Sequence, residues 1–219
     1  DWDPTDMGSK TYKGNAKYFG DMVSYMDFSV SRIVNTLDQL GLRKKTLIIF
    51  TADNGTDVPV VSMMDNISVV GGKGKTTDNG THVPLIVSWP GKVKPNAHTN
   101  TLIDFSDFFP TICDVAGIQL DSNLDLDGIS FYPELIGKKA IQRRWIHTWY
   151  NRDGGSNPLR ATREWVRDET YKLYVGNEFY NVKKDPEEQY NIPLELMSDD
   201  EKTLRQEFIA ILQSYTYLR

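Results

Sequence analysis

Two short clusters hold the residue types from which a reactive site could be built. Asp53-Asn54-Gly55 sets a carboxylate beside a carboxamide, and hard cations such as calcium or magnesium take oxygen ligands of both kinds. The same three residues also compose a common turn, so spacing alone leaves both readings open. Gly71-Gly72-Lys73-Gly74-Lys75-Thr76 is a glycine-rich loop bearing two ammonium groups. Exposed backbone amides and a lysine are what a tetrahedral oxyanion requires, whether phosphate or sulfate. Gly74-Lys75-Thr76 matches the end of a nucleotide-binding P-loop, but that motif needs a glycine five positions earlier, where Val69 stands. No strong strand is expected just before the loop either, which argues further against a nucleotide site.

Other reactive residue types are sparse. His82 follows the glycine loop and is expected to face the same crevice; His98 lies in a polar loop, and His147 sits between Trp145 and Trp149. No two of them have metal-ligand spacing. Cys113, the single cysteine, lies in an apolar stretch and reads as a buried structural thiol; alone it excludes an internal disulfide framework. Asn54-Gly-Thr, Asn66-Ile-Ser and Asn79-Gly-Thr fit the glycosylation sequon, the first overlapping the candidate metal pair.

These residues need elements to position them. Phe19, Met22, Val23, Met26, Val30, Ile33, Val34, Leu37 and Leu40 recur at helical spacing, and Gly41 follows as a left-handed cap. Asp27 interrupts that face and is expected to pair locally. Thr46 to Thr51 is a continuous apolar run, read as a strand covered on both faces, with Asp53-Asn54 just beyond its carboxyl end, where open α/β sheets place ligand crevices. A second strand is expected over Val83 to Trp89, a weaker third near Thr101 to Phe105, and a short helix over Asp107 to Ala116. From about residue 140 short runs alternate with turns: Trp145 to Tyr150, Glu164 to Arg167, Lys172 to Val175 and Phe179 to Val182 predict a small antiparallel sheet. Asp153 to Pro158 is a loop by composition, and Ser198-Asp199-Asp200-Glu201 opens a final helix with a capping box. The fold class is therefore α/β, residues 1–140 forming sheet and helices and 141–219 a small α+β subdomain.

At 219 residues the chain can bury a substantial core, and its net charge of −5 gives no basic footprint for nucleic acid. No apolar run is long enough to span a bilayer. The chain opens on Asp1 without a signal-peptide pattern, which leaves a processed protein or a piece of a longer one.

Read in order, the segments resemble the second half of arylsulfatase-type sulfatases, in the alkaline-phosphatase-like superfamily. Tyr18 to Asn35 with Met26-Asp27, Gly41-Leu42 to Gly55, Gly71-Gly72-Lys73-Gly74, Val83-Pro84 and Trp89-Pro90-Gly91 carry the likeness. Asp107-Phe-Phe-Pro110-Thr111, Asp127-Gly128-Ile129-Ser130, Tyr171-Lys172-Leu173, Phe179-Tyr180-Asn181 and Asp185-Pro186-Glu187-Glu188 continue it in the same order.

The resemblance implies that Asp53 and Asn54 are two ligands of a divalent cation, usually calcium, and that Lys73 binds a sulfate oxygen and steadies charge on the leaving side. His82 would stand at the same substrate-binding loop, where the family often has arginine. The family's nucleophile is a formylglycine made from Cys or Ser in a Cys/Ser-x-Pro-x-Arg motif. Cys113 is followed by Asp114-Val115-Ala116 and does not fit it. The expectation is a fragment whose nucleophile and remaining metal carboxylates lie in an amino-terminal half outside the chain, inactive alone and a weak holder of calcium. The parent would hydrolyse a sulfated glycan or small aryl ester, in the periplasm or secreted. The alternatives are a phosphodiesterase or phosphonate hydrolase of the same superfamily and a catalytically degenerate binding protein.

Overall fold

The computed structural model describes residues 16–151 and 162–215. The loop expected at Asp153 to Pro158 lies outside the described residues. Two compact units emerge: described residues up to Arg43 with Phe50–Leu85, and Lys44–Ile49 with those from Ile86 onward.

In the first unit, helix α1 (Phe19–Gln39) follows a single 3-10 turn. Its hydroxyl residues do not compete with the helix, because Ser24, Ser29 and Thr36 each donate back to the carbonyl four residues earlier. The helix stops as its sequence predicts. Gly41 adopts φ 65°, its amide bonds the Asp38 carbonyl at 3.0 Å, and the Leu42 amide bonds that of Leu37 at 2.8 Å. The expected apolar face is present but uncovered: no residue of α1 is buried, and Met22 and Ile33 are 62% and 59% exposed. Helical periodicity identifies the face that seeks burial, not what covers it. Asp27 also departs from expectation, with no ion pair among the described residues.

Strand β1 (Ile48–Thr51) pairs with a later strand, β4 (Leu85–Ser88), in a two-stranded sheet. Every residue of β1 remains partly exposed, not covered on both faces as its apolar run predicts; among the described residues one partner strand is all that flanks it. Between them lies a hairpin absent from the sequence reading, β2 (Val61–Met64) and β3 (Ile67–Val70), paired antiparallel with Val61 opposite Val70 and Met64 opposite Ile67. Asp65 and Asn66 both take positive φ, 49° and 66°, the two-residue turn whose twist suits flanking strands. The glycine loop therefore does follow a strand, although Val69 still excludes a P-loop. A four-residue helix, α2 (Asp78–Thr81), completes the segment.

In the second unit, helix α3 (Phe108–Ala116) ends at Gly117, φ 69°, where the sequence places it. Asp107, 2% exposed, anchors its start. The carboxylate accepts from the Asp104 amide at 2.7 Å, from the Ile129 amide at 2.6 Å and from the Arg143 guanidinium. Burial alone would lower the basicity of Arg143, but the hydrogen bond and negative charge of Asp107 outweigh it, and its pKa is raised. Thr111 donates to the Asp107 carbonyl and accepts from the Phe131 amide at 3.0 Å. The Asp107-to-Thr111 and Asp127-to-Ser130 blocks are thus two halves of one polar clamp. The expected strand near Thr101 is reduced to one bridge, Leu102 to Arg143, and a short helix, α4 (Tyr132–Leu135), follows.

The small antiparallel sheet forms as predicted from β5 (Ile146–Asn151), β6 (Thr162–Arg167), β7 (Tyr171–Tyr174) and β8 (Phe179–Asn181), in that order. Helix α5 (Asp199–Ser214) packs on it, and Val166, Leu173, Phe179, Met197, Phe208 and Leu212 make the core. Its capping box is complete: Glu201 N donates to Ser198 Oγ at 3.2 Å, and Ser198 N donates to Glu201 Oε2 at 2.8 Å. Among the described residues no helix is long and apolar enough to cross a membrane.

Candidate functional site

Asp53 and Asn54 lie in the turn that leaves β1, the first exposed and the second half-buried. Neither side chain has a hydrogen bond or ion pair among the described residues, so both oxygens are free to meet a ligand. The next two residues tie the turn to the glycine loop through the backbone. Gly55 N donates to the Gly80 carbonyl at 2.9 Å, and the Thr56 carbonyl accepts from both Gly72 N, at 2.9 Å, and Lys73 N, at 3.0 Å. Residues 53–56 and 71–82 are thereby one bonded assembly within a single unit, although some fifteen residues of chain separate them.

Close packing reinforces those bonds. Gly71 and Gly72 are buried. A Cβ at Gly55 would fall on the Asn79 carbonyl oxygen, and one at Gly72 would stand 2.5 Å from the Asn79 Cβ. The β2–β3 hairpin leaves from the same place, closed at its base by Gly71 N to the Val60 carbonyl at 2.8 Å.

The anion-binding chemistry differs from the sequence expectation in one respect. The amides of Gly72, Lys73 and Lys75 are not exposed donors; the first two are committed to the Thr56 carbonyl of the turn, and that of Lys75 bonds the Gly72 carbonyl at 2.8 Å. The charges available to an oxyanion are therefore the side chains of Lys73 and Lys75, both exposed and without an ion pair among the described residues. His82 caps α2, its amide bonding the Asp78 carbonyl at 2.8 Å, and its ring is solvent-exposed. Asn79, a sequon residue, is packed against Gly72, whereas Asn66 stands at the hairpin turn.

The other histidine with an environment of its own, His147, lies in the second unit. Its Nε2 is 3.0 Å from Glu164 Oε1 and its ring stacks on Tyr215 with centroids 3.8 Å apart. Cys113 is buried, as its apolar neighbours predict. Among the described residues no group of three or more His, Cys, Asp or Glu side chains could hold a metal. Asp53 and Asn54 fit calcium in kind, as hard oxygen donors, but as a pair would fall well short of the six to eight oxygens it takes.

Known proteins resemble this chain over most of its length. The sulfatase family model matches residues 4–118. That for the carboxyl-terminal region of N-sulphoglucosamine sulphohydrolase matches residues 73–213. Arylsulfatase A of Bos taurus is 37% identical over 160 residues, covering 71% of this chain and 30% of its own. A solved structure in complex with its substrate D-glucosamine-2-N,6-O-disulfate superposes with TM-score 0.67 at 23% identity, covering 88% of this chain and 38% of that one. The phosphonate monoester hydrolase of Agrobacterium radiobacter superposes with TM-score 0.65 at 26% identity, covering 88% and 39%. The chain spans 20% of the length of one steryl-sulfatase and 38% of one N-acetylgalactosamine-6-O-sulfatase among the curated relatives it matches.

Proposed function

The chain belongs to the sulfatase family, and from that premise we propose that it is the carboxyl-terminal part of an enzyme that hydrolyses a sulfate ester of a sulfated glycan or aryl alcohol. Residues 1–140 would complete its catalytic α/β domain and residues 141–219 form a small subdomain. The observation that carries the reading is the pair of hydrogen bonds that Gly72 N and Lys73 N donate to the Thr56 carbonyl, which hold a lysine loop against a turn whose two oxygen-bearing side chains have no partner among the described residues.

In this proposal Asp53 Oδ and Asn54 Oδ1 face a divalent cation, calcium by the chemistry of the donors, and ligands from outside the chain complete its shell. The cation, when bound, supplies positive charge to the sulfate oxygens. Lys73 places its ammonium on a sulfate oxygen and offsets charge building on the departing alcohol oxygen. His82, on the same loop, contacts the substrate. The nucleophile is a formylglycine carried elsewhere in the protein, so the isolated chain is not expected to turn over. A periplasmic or secreted location suits an enzyme of extracellular glycans.

A phosphonate or phosphodiester hydrolase is the second reading, favoured by the Agrobacterium structure. Sulfate and phosphonate release by the full-length enzyme separates the two. In that enzyme Lys73→Ala is expected to lower kcat/KM for the sulfate ester by about 100-fold or more, the scale on which a charge-stabilising donor acts. Near-normal turnover by Lys73→Ala would remove the lysine from the site.

A further inference from the structure

We propose that Gly80 is a positioning residue: it locks the Asp53-Asn54 turn to the Lys73 loop, so that ligand oxygens and ammonium move as one body. Gly80 is buried within α2. Its carbonyl receives the Gly55 amide at 2.9 Å, one residue beyond Asn54. A Cβ on Gly80 would stand 2.5 Å from the Gly72 carbonyl oxygen and closer still to that of Lys75, on either side of Lys73. One residue therefore touches the turn through its carbonyl and the lysine loop through its missing side chain.

The requirement is one of space. Gly41, Gly74 and Gly117 take positive φ, which disfavours any side chain, whereas Gly55, Gly72 and Gly80 do not. Alanine could adopt the backbone of Gly80 but has no room there. The obstructing atoms are backbone oxygens, which cannot swing aside as a flexible side chain does. Relief at position 80 has to move the Gly72–Lys75 loop, the Gly55 bond, or both. The same contacts run in the other direction, since a Cβ at Gly55 would lie 2.8 Å from the Gly80 Cα. Displacement of either part is thereby transmitted to the other.

The catalytic arm of the test rests on the sulfatase reading; the exchange arm does not. In the full-length enzyme Gly80→Ala is expected to lower kcat at least tenfold and to raise the calcium concentration for half-maximal activity, at unchanged activity for Gly20→Ala. Gly20 faces open space on α1 and serves as the control. A merely structural glycine would reduce the folded fraction while the surviving molecules kept the wild-type calcium response. That outcome overturns the proposal. Should Gly80→Ala fail to fold, hydrogen exchange on the wild-type protein decides: the amides of Gly55, Gly72 and Lys73 are expected to open together, with protection factors within about threefold. Independent opening, with Gly55 differing from Lys73 by more than tenfold, overturns the coupling. If the wild-type enzyme releases no sulfate, the functional reading falls while the exchange result still stands.

Discussion

Lys172 offers the sharpest quantitative test of what holds the carboxyl-terminal sheet together. It lies on β7 with no exposure, its Nζ 2.7 Å from Glu188 Oε1 and 4.5 and 4.8 Å from the Trp165 and Tyr174 ring centroids. Glu188 also accepts from Tyr174 Oη at 2.5 Å. Glu188→Gln would take away the carboxylate that Lys172 meets at full burial, and breaking a buried pair in this way costs about 3–5 kcal/mol. The two rings keep part of the cation's stabilisation, roughly 1–2 kcal/mol when desolvated, which places the expected loss near the lower bound. At about 3 kcal/mol, and about 2–4 °C per kcal/mol for a domain of this size, the melting temperature should fall by about 6–12 °C. Lys172→Met removes the cation while keeping the volume, and should cost a similar amount by leaving the carboxylate. Combining Lys172→Met with Glu188→Gln removes both members of the pair, so the double variant should lose clearly less than the sum. Urea unfolding followed by tryptophan fluorescence measures all three, with Trp165 itself in the cluster. Glu188→Gln within about 1 kcal/mol of wild type, or strict additivity, would refute the account, since contacting residues are expected to couple.

Two further outcomes are expected. The Ser198 amide, the Tyr171 hydroxyl at 2.9 Å and the Ser198 hydroxyl hold the Glu201 carboxyl below its ordinary value. A depressed carboxyl stabilises the fold above the unfolded pKa, about 4.3, and that contribution is lost as pH falls through the folded value. Glu201→Gln should therefore cost a few tenths of a kcal/mol in urea unfolding at pH 7, the solvent screening most of the charge, and progressively less as the pH falls below about 4; a loss that does not change over that range would mean the charge is not what caps α5. The isolated chain should bind calcium no more tightly than about millimolar by calorimetry, because two ligands are far short of a full shell. Micromolar affinity would mean that the chain carries more of the site than Asp53 and Asn54.

The carboxyl-terminal half was the more legible part of the chain because its rules are local. Alternating runs predicted all four strands of the sheet, and the capping box at Ser198 placed the start of α5, since cap and first turn are adjacent in sequence. Gly41 and Gly117 ended their helices for the same reason. The β2–β3 hairpin escaped because its turn is Asp65-Asn66, without the glycine that usually marks a two-residue hairpin loop. Partners of the Asp107 clamp were equally hidden, because Arg143 lies 36 positions away and no spacing rule connects them.

Sequence alone determined the chemical character of the candidate site: a carboxylate and an amide after a strand, then a lysine among glycines. Only the tertiary structure decided that these belong together. The Thr56 carbonyl accepts two amides from the glycine loop, Gly80 accepts one from the turn, and both contacts are possible because no Cβ intervenes. It also decided where the loop's hydrogen-bonding capacity goes. The amides of Gly72, Lys73 and Lys75 look available in a string of glycines, yet each donor can be spent only once, and the fold commits them to its own backbone. What remains for an anion is the ammonium groups of Lys73 and Lys75, on a loop that backbone hydrogen bonds tie to the Asp53-Asn54 turn.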